Sequence, residues 1–249
     1  MFDSFIPYKY AYLFGSIIVL IVWILIFLKR RDLRSQMITL SCITALLAPT
    51  EILYVGHYWK PEFLIYIFNL NFGIEDFIVC FSYGGICGVI YEFVTKRTPI
   101  QLKNVQFQIS KIEFLISILF GFITLIGLEA LSNLNIIYTT SASMFVIGVC
   151  FVYFRRDLLI SGLIAALISS VLCVLVYWII IIFIKDFFDL FWITNEITNI
   201  RLLGIPVEEY FFHFSLGLCL GIMYEVANGL YDGKLPKLNK KGKIHDNKK

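Results

Sequence analysis

Four carboxylates stand in two pairs, Glu75-Asp76 and Glu208-Glu209, each opening a strongly apolar run. Placing such a group in a membrane costs about 2.5–3.5 kcal/mol on insertion scales, so it is a functional candidate by default. A carboxyl group pressed into a low-dielectric site holds its proton and can donate it, and a second carboxylate can remove one. That is acid/base chemistry on an apolar substrate. A protonated alkene is a carbocation, which aromatic faces stabilise, and Phe77, Phe81, Tyr83, Tyr210, Phe211, Phe212 and Phe214 flank the acids. His213 follows Glu209 by four residues, on the same helix face, where it can tune or relay a proton. Glu51 and Glu129 lie towards the outer ends of two further runs, so topology brings six carboxylates towards one membrane level. The plain alternative is ordinary helix starts. Pro206 near the first helical position, with acids in the first turn, is what a helix N-terminus favours. This explains one pair well, and the recurrence of acids at a matched place less well.

That recurrence is part of an internal repeat. Residues 75–92 overlay 208–225 without a gap, and seven of eighteen positions are identical: Glu, Phe, Ser, Gly, Gly, Tyr and Glu. Chance similarity of two apolar helices would match Leu, Ile or Phe instead. An earlier echo is Arg30-Arg31-Asp32-Leu33 against Arg155-Arg156-Asp157-Leu158. Both third helices carry glycines four apart, Gly84/Gly88 and Gly217/Gly221, which let a neighbouring backbone approach closely. These helices are expected to be central.

The positioning elements are membrane helices. Apolar residues make up 59% of the 249, well above the soluble norm, and mean hydropathy is +0.82. A span needs roughly 20 apolar residues. Run length predicts seven, at about 10–28, 35–55, 75–94, 112–132, 136–154, 158–184 and 206–226. Residues 61–72 are apolar but too short to span. With the N-terminus outside, only Lys9, Lys60, Lys185 and Arg201 among the basic residues fall on the outer side, as the positive-inside rule asks. Three helices reverse the side of the membrane, so the fourth span makes the two units parallel. The expected architecture is therefore an all-α integral membrane fold: seven transmembrane helices as two parallel three-helix repeats joined by a linking helix. Residues 1–94 form the first repeat, 95–135 the linker with the fourth helix, and 136–228 the second repeat. Residues 229–249 are expected to form a disordered basic tail at the cytoplasmic face of the cell membrane.

Several classes are excluded or disfavoured. The six cysteines lie in apolar runs without a CxxC pair, which argues for packing rather than disulfides or thiolate metal sites. His57 and His245 lie outside the spans, so no His-rich metal site is expected. No nucleotide-binding glycine motif occurs. The first run lacks an A-x-A cleavage site and is expected to be retained. No cofactor, metal or nucleic acid is expected.

The segment Pro206-Val-Glu208-Glu209-Tyr-Phe211-Phe212, with the duplication and the length, resembles the membrane-embedded lycopene cyclases of the heterodimeric or fused type. The resemblance implies redox-neutral cyclisation of the end groups of a linear carotenoid, an isomerisation. A carboxylic acid protonates a terminal double bond, the ring closes, and a base removes a proton. By position, Glu208 and Glu209 would be the acid/base pair, with Glu75 and Asp76 their counterparts. Pro206, Phe211, Phe212, His213, Glu129 and Glu51 would border the substrate. The implied partners are an apolar isoprenoid or carotenoid and membrane lipid, and a homo-oligomer is allowed. One departure is Gly73 at the position matching Pro206. Competing readings are a non-enzymatic carrier or scaffold with buried acids, and an intramembrane CAAX-type protease, whose EExxxR motif has His213 here in place of arginine. A retinal protein would need a lysine in the last helix, and residues 203–226 hold none.

Overall fold

A computed structural model describes residues 5–100 and 109–231. The basic tail expected at 229–249 lies, beyond residue 231, outside the described residues. The chain is mostly helical. Its helices are α1 (Ala11–Lys29), α2 (Arg34–Ala45), α3 (Ile74–Cys87), α4 (Ile90–Thr95), α5 (Lys111–Leu131), α6 (Ile136–Phe154), α7 (Leu159–Phe183), α8 (Phe187–Phe191) and α9 (Val207–Asn228). Two short strands, β1 (Arg201–Leu202) and β2 (Ile205–Pro206), form an antiparallel hairpin.

Among the described residues, five helices are long and apolar enough to cross a membrane: Tyr8–Lys29, Lys111–Leu131, Ile136–Phe154, Arg156–Phe183 and Val207–Asn228. Sequence run length suggests seven. The difference lies at 35–55 and 75–94, where helix is broken. α2 has 12 residues, about 18 Å of rise. A 3-10 segment, Ala48–Leu53, follows it, because Pro49 has no N–H with which to continue an α-helix. The second break separates α3 from α4 at Gly88-Val89. There the Gln36 amide donates to the Gly88 carbonyl at 2.6 Å, a side chain inserted where a ladder bond would run.

The distribution of polarity is that of a protein in lipid. Large apolar side chains face outwards, such as Leu25 and Leu28 on α1, Ile112 and Ile126 on α5, and Leu167 and Ile182 on α7. Polar side chains are inside, including Gln36, Ser41, Thr44, Ser161, Ser169 and the two acid pairs. An aqueous solvent would leave the outer faces uncovered.

α3 packs on α1 and α2, and α9 packs on α6 and α7. The glycine faces make these approaches close. A Cβ at Gly84 would lie 1.9 Å from Thr44 Oγ1, and one at Gly88 would lie 2.1 Å from Leu40. On α9, Gly217 meets Ser169 at 2.5 Å and Gly221 meets Ala165 at 2.4 Å. Each glycine pair thus packs on a neighbouring helix, Gly84 and Gly88 on α2 and Gly217 and Gly221 on α7.

The two Arg-Arg-Asp segments also do matching work. Arg30 forks Asp32 and donates to the carbonyls of Glu92 and Arg97. Arg155 forks Asp157 and donates to the carbonyls of Glu225 and Leu230. Basic side chains at a helix C-terminus bind its last carbonyls, and each guanidinium adds a donor to one that already accepts from backbone N–H, Glu92 from Arg97 and Glu225 from Leu230. Arg30 and its hydrogen bond hold the Asp32 carboxyl well below the ordinary carboxylate range.

Candidate functional site

Both acidic helix starts follow a hairpin turn. Leu203 and Gly204 have φ of 54° and 82° and close the β1–β2 turn. Turns with positive φ at both central residues match strand twist, and they suit Gly at one of the two. Pro206 then precedes α9 with φ −55° and ψ 138°. In the first half, Phe68 and Asn69 take the positive φ values, and Tyr66 pairs with Gly73 in an antiparallel bridge before α3. The stretch 61–72, too short to span, is this turn, with Phe63 and Phe72 buried beneath it.

The residue before each helix decides where the second acid goes. Gly73 has an N–H, and it donates to Asp76 Oδ2 at 2.7 Å. This is the reciprocal half of a capping box, in which the third helical residue reaches back to the N-cap. Pro206 has no N–H to offer, so Glu209, at the equivalent place, turns elsewhere. Its Oε1 accepts from Tyr58 Oη at 2.5 Å and Trp192 Nε1 at 3.1 Å, and its Oε2 accepts from Tyr177 Oη at 2.8 Å. Asp76 Oδ1 accepts from Tyr12 Oη. A proline at 73 is also excluded by space, since a Cβ there meets the Phe63 ring and Glu75 Oε2, each at 2.6 Å.

The first acids of the pairs serve the loops. Glu208 Oε1 accepts from Tyr138 Oη at 2.5 Å and from the Thr198 hydroxyl and N–H at 2.6 and 2.9 Å. Glu75 Oε1 accepts from Leu64 N–H at 2.9 Å. In each residue the other carboxylate oxygen, Oε2, is buried without a hydrogen-bond partner.

Two loops from different halves are stitched together above Glu209. Lys60 N–H donates to the Phe191 carbonyl at 2.7 Å, and Ile193 N–H to the Tyr58 carbonyl at 3.0 Å. That pairing sets Tyr58 and Trp192 over the same carboxylate. Trp59 continues the wall, 4.8 Å edge-on from Tyr12 and 5.4 Å from Trp192 between ring centres. Its Nε1 donates to Glu51 Oε1 at 2.5 Å, which ties Glu51 into the cluster.

Beneath this wall is a cavity of about 90 Å³ between α1, α3, α7 and α9. Tyr12, Trp59, Tyr83, Tyr177, Trp192 and His213 supply its aromatic and polar surface, and Gly15, Val19, Val176 and Ile180 an apolar flank. No carboxylate is among the described residues that line it. The Tyr12 and Tyr177 phenols line it instead, with Asp76 and Glu209 one layer behind. The His213 ring lies 4.8 Å edge-on to Tyr83, and its Nδ1 sits 2.8 Å from the Glu209 carbonyl and 3.7 Å from Glu209 Oε2. A carbonyl only accepts, so Nδ1 carries the proton.

The residues singled out in the sequence therefore separate. Asp76, Glu209, Glu51 and His213 converge on the cavity wall. Glu75, Glu208 and Pro206 build the helix entries beside it. Phe212 packs near Tyr54 and His213. Phe211 is 65% exposed and points away from the interior. Glu129 is exposed, accepts from Thr139 at 2.5 Å, and borders a separate polar pocket with His57 and Glu196. The aromatic residues Tyr12, Tyr58, Trp59, Tyr177 and Trp192, which reach Asp76, Glu51 or Glu209, could not be found from the sequence. Tyr58 is 151 positions from its partner Glu209, and no periodicity spans that distance.

Cys173, Glu209 and His213 each offer one ligand atom, all within 4.8 Å of one another. Both Glu209 oxygens already accept hydrogen bonds from three donors, so a cation here would have to displace a phenol or an indole.

Residues 135–227 match the family model described as lycopene cyclase. Neither a curated protein nor a solved structure matches the chain. The matched stretch runs from the start of α6 to the end of α9, and takes in Tyr138, Tyr177, Trp192, Pro206, Glu208, Glu209 and His213. Over residues 135–227 this chain of apolar helices is thus similar to the lycopene cyclase family.

Proposed function

We propose that this chain is an integral membrane carotenoid cyclase, closing the end groups of an acyclic carotenoid by proton addition and proton removal. The observation that carries the reading is the convergence of Glu209, through Tyr177 and Trp192, on an aromatic cavity among apolar helices. A terminal double bond takes up a proton, and the resulting cation is attacked by the next double bond. The ring cation then loses a proton to a base. Atoms and electrons balance without a redox partner. The rings of Tyr12, Trp59, Tyr177 and Trp192 would stabilise the passing positive charge. Glu208 and Glu75 would hold the entry loops, and Glu209 and Asp76 would govern the protons. The cavity is about 90 Å³, roughly three waters by liquid volume, so an end group must displace side chains such as Ile180 or Phe187 on entering.

The same reading takes the chain as two parallel three-helix units, 1–94 and 136–228, joined by a linker at 95–135 that carries α5. The broken pairs α2 with its 3-10 turn and α3 with α4 would be the second and third crossings. The N-terminus would be outside the cell membrane and the tail inside. Support comes from the matched arginine clamps, the matched glycine contacts and the hairpin before each acidic helix.

The test is expression in cells that accumulate lycopene, with pigments separated by chromatography. Cyclic products in wild type and none with Glu209→Gln support the cyclase. Unchanged lycopene, with the protein present in the membrane, removes it in favour of a carrier or scaffold.

A further inference from the structure

Resting on that reading, we infer that the groups passing protons to and from the substrate are the phenols of Tyr12 and Tyr177, each backed by one acid. Both tyrosines line the same cavity, Tyr12 from α1 and Tyr177 from α7. Each donates its hydroxyl to a carboxylate that does not reach the surface of that cavity, Tyr12 to Asp76 and Tyr177 to Glu209. A substrate carbon in the cavity therefore meets these two tyrosines before it meets either carboxylate.

The carboxylates are also poorly placed to swing inwards. Asp76 is tied to the Gly73 N–H, and Glu209 Oε1 is held by Tyr58 and Trp192. A phenol hydroxyl, by contrast, rotates about its C–O bond and both donates and accepts. In the protonating step, one acid in its neutral form gives its proton to the phenol oxygen while the phenol's own proton goes to the alkene carbon. The alkene electron pair forms the new C–H bond. The neighbouring double bond supplies the pair for the ring C–C bond. In the closing step, a C–H bond of the ring cation breaks and its pair becomes the new double bond. That proton goes to the opposite phenol oxygen, whose own proton passes to the carboxylate behind it. One acid has then lost a proton and the other gained one, and exchange with water resets both. Tyr12 and Tyr177 are the catalytic residues in this scheme, and Asp76 and Glu209 act through them.

The experiment uses the full chain in vesicles supplied with lycopene. Tyr12→Phe and Tyr177→Phe are each expected to lose about 10²–10⁴-fold in cyclisation rate. Both are expected to keep the induced circular dichroism of the bound polyene. Site-specific 3-fluorotyrosine at either position preserves shape but makes the phenol more acidic, and should move the pH–rate profile to lower pH. A merely structural hydroxyl would not move it. Wild-type rates in either Phe variant would overturn the inference, as would an unmoved profile, or His213→Gln abolishing turnover while both Phe variants stay active. If Glu209→Gln is inactive in those cases, the cyclase reading stands without the phenols. If wild type forms no cyclic product, both fall.

Discussion

Gly73→Pro would make the first acidic motif read like the second, and the structure says it should fail. Three losses combine. The Gly73 N–H that donates to Asp76 Oδ2 at 2.7 Å disappears, and a hydrogen bond to a charged group contributes about 1.5–3 kcal/mol. Gly73 has φ −131°, far from the roughly −65° that proline imposes. Its Cβ would meet the buried Phe63 ring and Glu75 Oε2 at 2.6 Å, an overpacking that costs about 1–3 kcal/mol. Together these amount to about 3–6 kcal/mol. At roughly 2–4 °C per kcal/mol for a chain of this size, the midpoint should drop by about 6–24 °C. Gly73→Ala is the control, because it keeps the N–H and the φ but adds the same Cβ. Tryptophan-fluorescence melts of detergent-solubilised protein would compare the two. If Gly73→Pro melts together with Gly73→Ala, then the N–H bond to Asp76 does not matter and the asymmetry between the halves has another cause. The reverse change, Pro206→Gly, should cost at least about 0.4–1 kcal/mol for the freer unfolded chain, with a further loss for the buried ring it removes. It offers Glu209 an N–H to cap, drawing the carboxylate off Tyr177 and Trp192, so cyclisation should fall more than stability.

Other substitutions separate packing, charge and site. Gly217→Leu puts carbon 2.5 Å from Ser169 Oγ and 2.9 Å from the Ala165 carbonyl, so melts should show a loss of at least about 1–3 kcal/mol. Arg155→Met removes the guanidinium donor from the Glu225 and Leu230 carbonyls and strips Asp157 of its ion-pair partner. Arg155 is buried but Asp157 is partly exposed, so the loss should be about 1.5–3 kcal/mol for the charged hydrogen bonds, read as a lowered melting midpoint. Because Arg30 depresses the folded-state Asp32 carboxyl, that contact contributes fully above the unfolded value near about pH 4 and is lost as pH falls further. Melts against pH should therefore show a steeper acid limb in wild type than in Asp32→Asn. Phe211→Ala, at an exposed position, should leave stability within about 0.5 kcal/mol and cyclisation unchanged, whereas Trp192→Leu should impair turnover.

What the chain alone made legible was whatever is local or periodic. Apolar run length located the five long helices, because a bilayer demands a continuous apolar stretch. The aligned acids, glycines and Arg-Arg-Asp segments were visible as matched residue types, and Pro206-Val-Glu208-Glu209 carried the family resemblance. Run length did not reveal that α2 stops at Ala45 or that α3 breaks before Val89. Those ends depend on Pro49 and on a Gln36 amide arriving from another helix. The roles of the acids were likewise decided by tertiary structure. Gly73 ties Asp76 back with an N–H that Pro206 denies Glu209, and Tyr58, Tyr177 and Trp192 reach Glu209 from three different segments. Hydropathy records which residues leave water. Which phenol meets which carboxylate is a matter of packing between helices and loops far apart in the chain, and no spacing along it encodes that meeting.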